Sequence, residues 1–592
     1  MKKLALLMCF CLVLSMFSGC AAKDAASQQP AAPAATDAPA AAPEVKPAET
    51  KAPEAAPAPA PEKTVTIQVM SLTGNGSGFI TGWYADLLKE NLGIEIELIA
   101  SGDQGEQKLQ AYMSAGELPD MVVFKEWKQV QDAQRAGLLE PFDAHKDELS
   151  NVFSNYGTAL SYAAENVTTD GKPYVLPSGI GAASVGTELN WGPLFRWDLY
   201  KKLGYPEVPN FYGYLDLLKK MQELEPETPS GQKVYGFGLW SDWDAVSMQQ
   251  AASIIAVNGS DSDQIISSLP FVTIDYKTDS FTGILDDGGA YLSALKFFYD
   301  ANQMGLLDPD SLTQRFDTAK SKTDEGRYLF GLWPWMVEGY NTPERTDADS
   351  FTGFATIPHG EYRPLMFAEN PVGNSWAWGI SSKSENIEKC LAYLNFISDP
   401  ANLTTIVNGP QGILWDLGSD GLPYVTDQGY DILQDAANYQ FPQGGKLDDG
   451  RAEPINGLPG TMYNVSPYGV PYLAAKWPSY DPPVTKLNED WQDHMGYKSA
   501  SEMDVDKGTF TLINNAIKYI PPISDEIQMI VQQIGDSVKT FSWQAVFAKD
   551  QAEFDSLVGQ MRSQAEELGL EQVMEANRAN WAAAKQISEK YK

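Results

Sequence analysis

The chain has 592 residues, with 43 Lys and Arg against 78 Asp and Glu, a formal net charge of −35. Such acidity argues against a nucleic-acid binder, which needs cations to meet phosphate, and against charge-driven docking on anionic lipid. With 43% hydrophobic and 11% aromatic residues the chain can build more than one core, so global disorder is excluded.

Residues 1–19 read as a signal peptide. Lys2 and Lys3 precede an apolar run from Leu4 to Phe17 that is too short to span a bilayer. The sequence Phe17-Ser18-Gly19-Cys20 resembles a bacterial lipobox, with Phe17 where Leu is usual. Cys20 is then the expected lipidation site and the first residue of the mature chain. A plain secretory signal with a chance Cys is the alternative.

Residues 20–63 form the lipidated Cys and a tether. Of residues 21–63, 27 of 43 are Ala or Pro, with no aromatic. At about 3.1 Å per residue this stretch reaches at most roughly 130 Å. Signal and tether carry +2 and −2, so the whole net charge of −35 falls on residues 64–592. Cys9 and Cys11 leave with the signal, and Cys390 remains alone, which rules out an internal disulfide or a Cys-based metal site. Cys390 reads as a small core hydrophobe in a helix.

From residue 64 the chain reads as α/β. Thr64–Met70 and Ile94–Ile99 alternate as strands, Met121–Phe124 is a short apolar strand, and Ile80, Trp83, Leu87 and Leu88, then Leu109, Tyr112 and Met113, recur at helical spacing. A β-α-β-α-β series implies parallel strands whose carboxyl-end loops face a ligand. The glycine cluster Gly74-Asn75-Gly76-Ser77-Gly78 there reads either as a loop that lets backbone approach a ligand or as a turn. The far end reads as helical, from the stripes Ile523, Ile527, Ile530, Ile534, Val538 and Phe554, Leu557, Val558, Met561.

Catalytic signatures are missing. The three His (His145, His359, His494) form no His-Glu-x-x-His, and there is no Gly-x-Ser-x-Gly elbow or phosphate-binding Gly-x-x-x-x-Gly-Lys-Ser/Thr loop. Asp286-Asp287-Gly288-Gly289 and Asp448-Asp449-Gly450 lack the alternating oxygens of a calcium loop and read as turns. Neither a metal nor a cofactor is expected.

The informative feature is aromatic rings mixed with polar groups: Asn190-Trp191 with Arg196-Trp197-Asp198, Trp240-Ser241-Asp242-Trp243-Asp244, Trp333-Pro334-Trp335, and Glu369-Asn370 with Trp376-Ala377-Trp378. A flat ring offers an apolar platform to the C–H face of a sugar, and neighbouring Asp, Glu, Asn or Arg bond its hydroxyls at about 1.5–3 kcal/mol per charged bond. Taken singly, each Trp reads more readily as a large core residue, which is what most buried Trp are. Expected ligand contacts are Trp240, Asp242, Trp243, Trp333, Trp335, Glu369, Asn370, Trp376 and Trp378, with Tyr174 and Arg196.

Several blocks in this order resemble extracellular solute-binding protein family 1, in the long lipoprotein branch found with sugar ABC importers of Firmicutes. They are Gly116–Val122, Ala136–Phe142, Asp170–Pro177, Arg196–Gly204 with Val208-Pro209, and Trp378–Ser384. The resemblance implies a two-lobe, periplasmic-binding-protein-like fold (type II-like) with a hinge and a helix-rich C-terminal part. With a first crossing near Pro177-Ser178-Gly179, lobe 1 is expected at about 64–177 and 328–375 and lobe 2 at about 178–327 and 376–592. It also implies an oligosaccharide ligand, ABC permease subunits as partners, and a monomer anchored by lipid at the outer face of the cell membrane. Where long members carry a calcium-loop-like insert, Glu225–Gly236 here lacks the spaced Asp and Asn, which argues against bound calcium. The competing readings are a surface-anchored glycan hydrolase or lyase and a peptide-binding lipoprotein.

Overall fold

The computed structural model describes residues 64–591, apart from Asn75, 102–103, 184–191, 258–268, Ala437, Gln443, 448–456 and Asn514. The lipobox, the tether, Asn190-Trp191 and Asp448-Asp449-Gly450 therefore lie outside the described residues. The described residues, 64–591, fall in one compact unit.

The first lobe is built on a six-stranded sheet. Its strands are β1 (Val65–Ser71), β2 (Gly78–Phe79), β3 (Ile94–Ile99), β4 (Met121–Phe124), β5 (Val175–Ser178) and one late arrival described below. β1 runs parallel to both β3 and β4, so their carboxyl ends share one edge. The helices Gly82–Leu92 and Gly105–Ala115 supply the crossovers, each ended by a left-handed glycine, Gly93 and Gly116. Alternation in β3 is followed closely: Ile94, Ile96 and Leu98 are buried and the residues between them are not.

The second lobe holds a three-stranded antiparallel sheet. β6 (Leu194–Arg196) lies between β9 (Phe330–Gly331) and β10 (Phe354–Thr356). A hairpin of β7 (Val272–Asp275) and β8 (Ser280–Gly283) and the helices Gly213–Leu224 and Ala290–Gln303 precede β9. Asp286–Gly289 forms a turn after β8, with Asp286 Oδ2 accepting from Gly283 N at 2.8 Å. β11 (Leu365–Phe367) pairs with the distant Thr511–Ile513, and β12 (Asn374–Ile380) then re-enters the first sheet, antiparallel to both β4 and β5.

This chain path differs from the expected lobe boundaries. Residues 330–356 build the second lobe, not the first, and β12 with the helix Ile387–Phe396 builds the first. The reason is burial: Ala377, Trp378, Gly379 and Ile380 are covered on both faces, which only a slot between two strands provides. The two main cores agree. One gathers residues 67–180 with 378–477, the other 194–366 with 487–573. The chain therefore crosses three times, at 181–193, 367–374 and 478–486. A third cluster joins the lobes at the hinge side, where Met70, Val122 and Tyr162 meet Tyr519, Ile520 and Trp581.

The C-terminal helices Asp525–Val546, Gln551–Glu567 and Leu570–Ser588 close the second lobe. Ser524 and Asp550 cap the first two through their side chains. The last helix reaches back to the first lobe: Lys590 pairs with Glu165, Tyr591 Oη donates to Glu165 at 2.9 Å, and the Tyr591 ring stacks on Tyr519 at 5.8 Å. Among the described residues no helix is long and apolar enough to cross a membrane.

Candidate functional site

Five aromatic rings gather at one end of the second-lobe sheet. Gly192, at the end of the first crossing, donates its N–H to Leu332 O at 2.9 Å, so β6 begins and β9 ends on the side from which the chain arrives. Trp333 follows directly. Pro334, preset for the first helical position, starts the short turn Pro334–Val337, and the chain folds so that the Trp333 and Trp335 rings stack at 5.4 Å and 21°. Trp243 packs against both at 5.7 and 5.8 Å, and stands perpendicular to Trp240 at 5.1 Å. Phe316 closes the group, 4.7 Å from Trp243 and 5.7 Å from Trp240. Trp240 and Trp333 form the buried floor, while Trp243 and Trp335 are only half-buried.

Polar groups hold this cluster. Asp242 Oδ2 accepts from Phe316 N at 3.2 Å and lies 3.4 Å from Arg315 Nε, with the Arg315 side chain 57% exposed. Asp244 accepts from Gln249 N at 2.8 Å and from Trp543 Nε1 at 2.7 Å. Burial pushes the Asp244 carboxyl up to about 6, against the pull of those two bonds. The arrangement offers half-buried aromatic rings beside a carboxylate and a guanidinium, which suits a ligand with apolar faces and hydroxyl edges.

The structure thus brings Trp240, Asp242, Trp243, Trp333 and Trp335 together. Phe316 and Arg315 join them unpredicted. The only sequence signal was a charged residue beside an aromatic, without the Trp that marked the other clusters.

The remaining expected contacts disperse. Arg196 is 1% exposed and fully engaged inside the second lobe. Its guanidinium forks onto Asp198 at 2.8 and 2.9 Å and onto Glu225 at 2.8 and 3.2 Å, over the Tyr340 ring at 5.0 Å. Burial works to lower its pKa, but Asp198 and Glu225 overrule it, and the net direction is up. Arg196 is an internal ion lock. Tyr174 precedes β5, at the opposite end from the carboxyl edge, and donates to Asp170 at 2.8 Å. Trp378 is a core residue, its indole N–H bonded to Gly457 O and its ring 5.5 Å from Tyr393.

Asn370 belongs to the hinge. Its backbone exchanges both bonds with Gly181, at 2.7 and 2.8 Å, and its amide donates to Gly179 O and Asn374 Oδ1, both at 3.2 Å. Lys518 Nζ reaches Asn374 Oδ1 at 2.9 Å. Glu369 beside it is exposed. Trp376 is half-buried at the start of β12, level with the carboxyl ends of β4 and β5, and outside the two main cores and the joining cluster. The loop after β1 opens as a turn, with Ser71 Oγ accepting from Gly74 N at 3.0 Å.

Glu225–Gly236 makes a tight turn, closed by Thr228 N to Gln232 O at 2.7 Å. Among the described residues no three His, Cys, Asp or Glu gather where they could hold a metal ion.

The family model for bacterial extracellular solute-binding proteins matches residues 71–403. In fold the chain is similar to FusA, an ABC-transporter substrate-binding protein of Streptococcus pneumoniae, at a TM-score of 0.55 and 14% identity, over 89% of this chain and 100% of that one. It is also similar to the alginate-binding protein AlgQ2, at 0.54 and 14% identity, over 88% and 98%. The N-glycan transport solute-binding protein NgtS of Streptococcus pneumoniae gives 0.51 and 15% identity, over 87% and 98%. No curated protein matches the chain in sequence. The family match covers more than half of the chain, and the two-lobe α/β fold agrees with it: the chain belongs to the bacterial extracellular solute-binding protein family.

Proposed function

We propose that this protein captures an oligosaccharide between its lobes and delivers it to the permease of an ABC importer, held at the outer face of the cell membrane by lipid on Cys20. The observation that carries the sugar assignment is the five-ring cluster beside Asp242 and Arg315, placed where the chain enters the second lobe. Trp243 and Trp335 would stack on sugar faces, and Asp242 and Arg315 would take hydroxyls. From the first lobe, Trp376 is the candidate opposing ring, with Glu369 beside the hinge. Support also comes from relatives of the same fold: FusA is known in complex with kestose and NgtS with Man5GlcNAc.

The mechanism follows from the lobes. A ligand that touches both stabilises the closed arrangement only by the affinity it gains there, and three crossing segments allow one lobe to rotate on the other. The closed form would dock on the permease. The signal, lipobox and Ala/Pro tether support an anchored body with reach.

The test is a titration with an oligosaccharide panel, following tryptophan fluorescence and then recovering the sugar. A saturable signal with the sugar recovered intact is expected. Release of shortened products would favour a hydrolase, and a signal with peptides alone would favour the peptide-binding reading.

A further inference from the structure

A cavity of about 40 Å³ shares Trp240 and Trp333 with the aromatic cluster and is walled also by Gln250, Ile254, Phe298 and Met336. Its polar lining is unusual. Tyr328 is satisfied by Asp308 at 2.6 Å, and Thr323 by Ala319 O at 3.0 Å. Trp240 Nε1, Gln250 Nε2 and Gln250 Oε1, however, have no hydrogen-bond partner among the described residues. Both side chains are more than nine-tenths buried, at 3% and 4% exposure, so bulk water does not serve them.

Buried polar groups are nearly always paired, and three orphan atoms on two residues that line one cavity point to a guest. A water needs about 10–15 Å³ of such space, so the volume exceeds one water. The chemistry of the guest is set by the wall: three N–H bonds on two nitrogens, one carbonyl acceptor, and no charged side chain. It must accept from Trp240 and Gln250, donate to Gln250, and carry no net charge.

We propose that this cavity binds a small neutral hydrogen-bonding group, supplied either by trapped water or by a hydroxyl or acetamido substituent of a sugar stacked on the neighbouring rings. The site itself does not depend on the sugar reading; only the second source rests on it. Because Trp240 and Trp333 belong to both the cavity wall and the cluster floor, the guest also fixes the rings that the ligand would meet.

High-resolution crystal structures of the protein, free and soaked with maltotriose or triacetylchitotriose, read the occupant directly. The free protein should show density within about 2.7–3.2 Å of Trp240 Nε1 and the Gln250 amide. Persistence of that density with sugar bound, with Gln250→Leu changing sugar affinity less than twofold, assigns the guest as water. Replacement by a sugar substituent, with Gln250→Leu weakening that sugar tenfold or more, assigns it to the ligand. Either result supports the site. Featureless density in free and soaked crystals alike, or pairing of Trp240 and Gln250 with protein atoms instead, overturns it. If neither sugar binds, the sugar assignment fails while the density in the free protein still decides the site.

Discussion

Arg196 separates a buried ion lock from a ligand contact, and its substitution can be worked through. Arg196→Met keeps most of the apolar volume and removes the charge. Among the described residues Asp198, 3% exposed, would then keep only Gly353 N at 3.3 Å and Lys202 Nζ at 3.7 Å. Removing one partner of a buried pair typically costs about 3–5 kcal/mol, chiefly because the other charge stays buried. Glu225 is 24% exposed and adds little, since water can replace its partner. The expected loss is therefore at the lower end, about 3 kcal/mol, read from urea denaturation midpoints at constant slope. The double variant Arg196→Met/Asp198→Asn should recover at least about 1 kcal/mol of this, because the fully buried charge of Asp198 is gone and only the part-exposed Glu225 is left without its partner. Sugar affinity should stay within twofold at temperatures where the variant is folded. A stability change below about 1 kcal/mol together with a tenfold loss of affinity would refute the reasoning and return Arg196 to the binding site.

Other outcomes follow from single residues. Asp244 has a folded-state carboxyl pKa of about 6 against 3.8 unfolded, so the folded protein binds the extra proton and this group's stabilisation is lost as pH rises from about 4 through 6. Wild type should gain on Asp244→Asn by up to about 3 kcal/mol between pH 7.5 and 4, measured by urea melts at both pH values. Gly181, at φ +127°, sits where a Cβ would lie 1.8 Å from Asn464 Oδ1, which accepts from Ala182 N at 2.8 Å. Gly181→Ala should break that clamp at the first crossing and cost about 2 kcal/mol or more by the same assay. Cys390 is fully buried with its thiol pushed up to about 12, so the mature protein should show no reactive thiol until denatured, and then one. A thiol that reacts in the native state would mean that Cys20 is not lipidated.

What the sequence disclosed follows the strength of each pattern. β3 and β4 could be bounded to the residue, because alternation or an unbroken apolar run ends in turn residues on both sides. The second-lobe sheet was hidden, since β6, β9 and β10 are two or three residues long and carry no period. β12 had no address in the sequence: burial on both faces does not name the neighbouring strands. The site divides in the same way. Clustered Trp on either side of Asp242, and on either side of Pro334, did mark rings that meet. Arg196-Trp197-Asp198 had the same appearance but folds inward, because its opposite charges can satisfy each other without water. Trp376 and Trp378 differ by depth along one strand: two residues further in, Trp378 is covered by Tyr393 and Gly457. Phe316 reaches the cluster from a helix more than seventy residues after Trp243, a contact no local pattern encodes.

The central claim is that the half-buried rings at the mouth of the second lobe bind sugar. Isothermal titration of wild type, Trp243→Ala and Trp335→Ala with a sugar chosen from the panel tests it most directly. Wild type should bind one sugar per protein, and each variant should bind at least tenfold more weakly, a loss of about 1.4 kcal/mol, while keeping its circular dichroism and melting behaviour. Wild-type affinity in both folded variants would contradict the account.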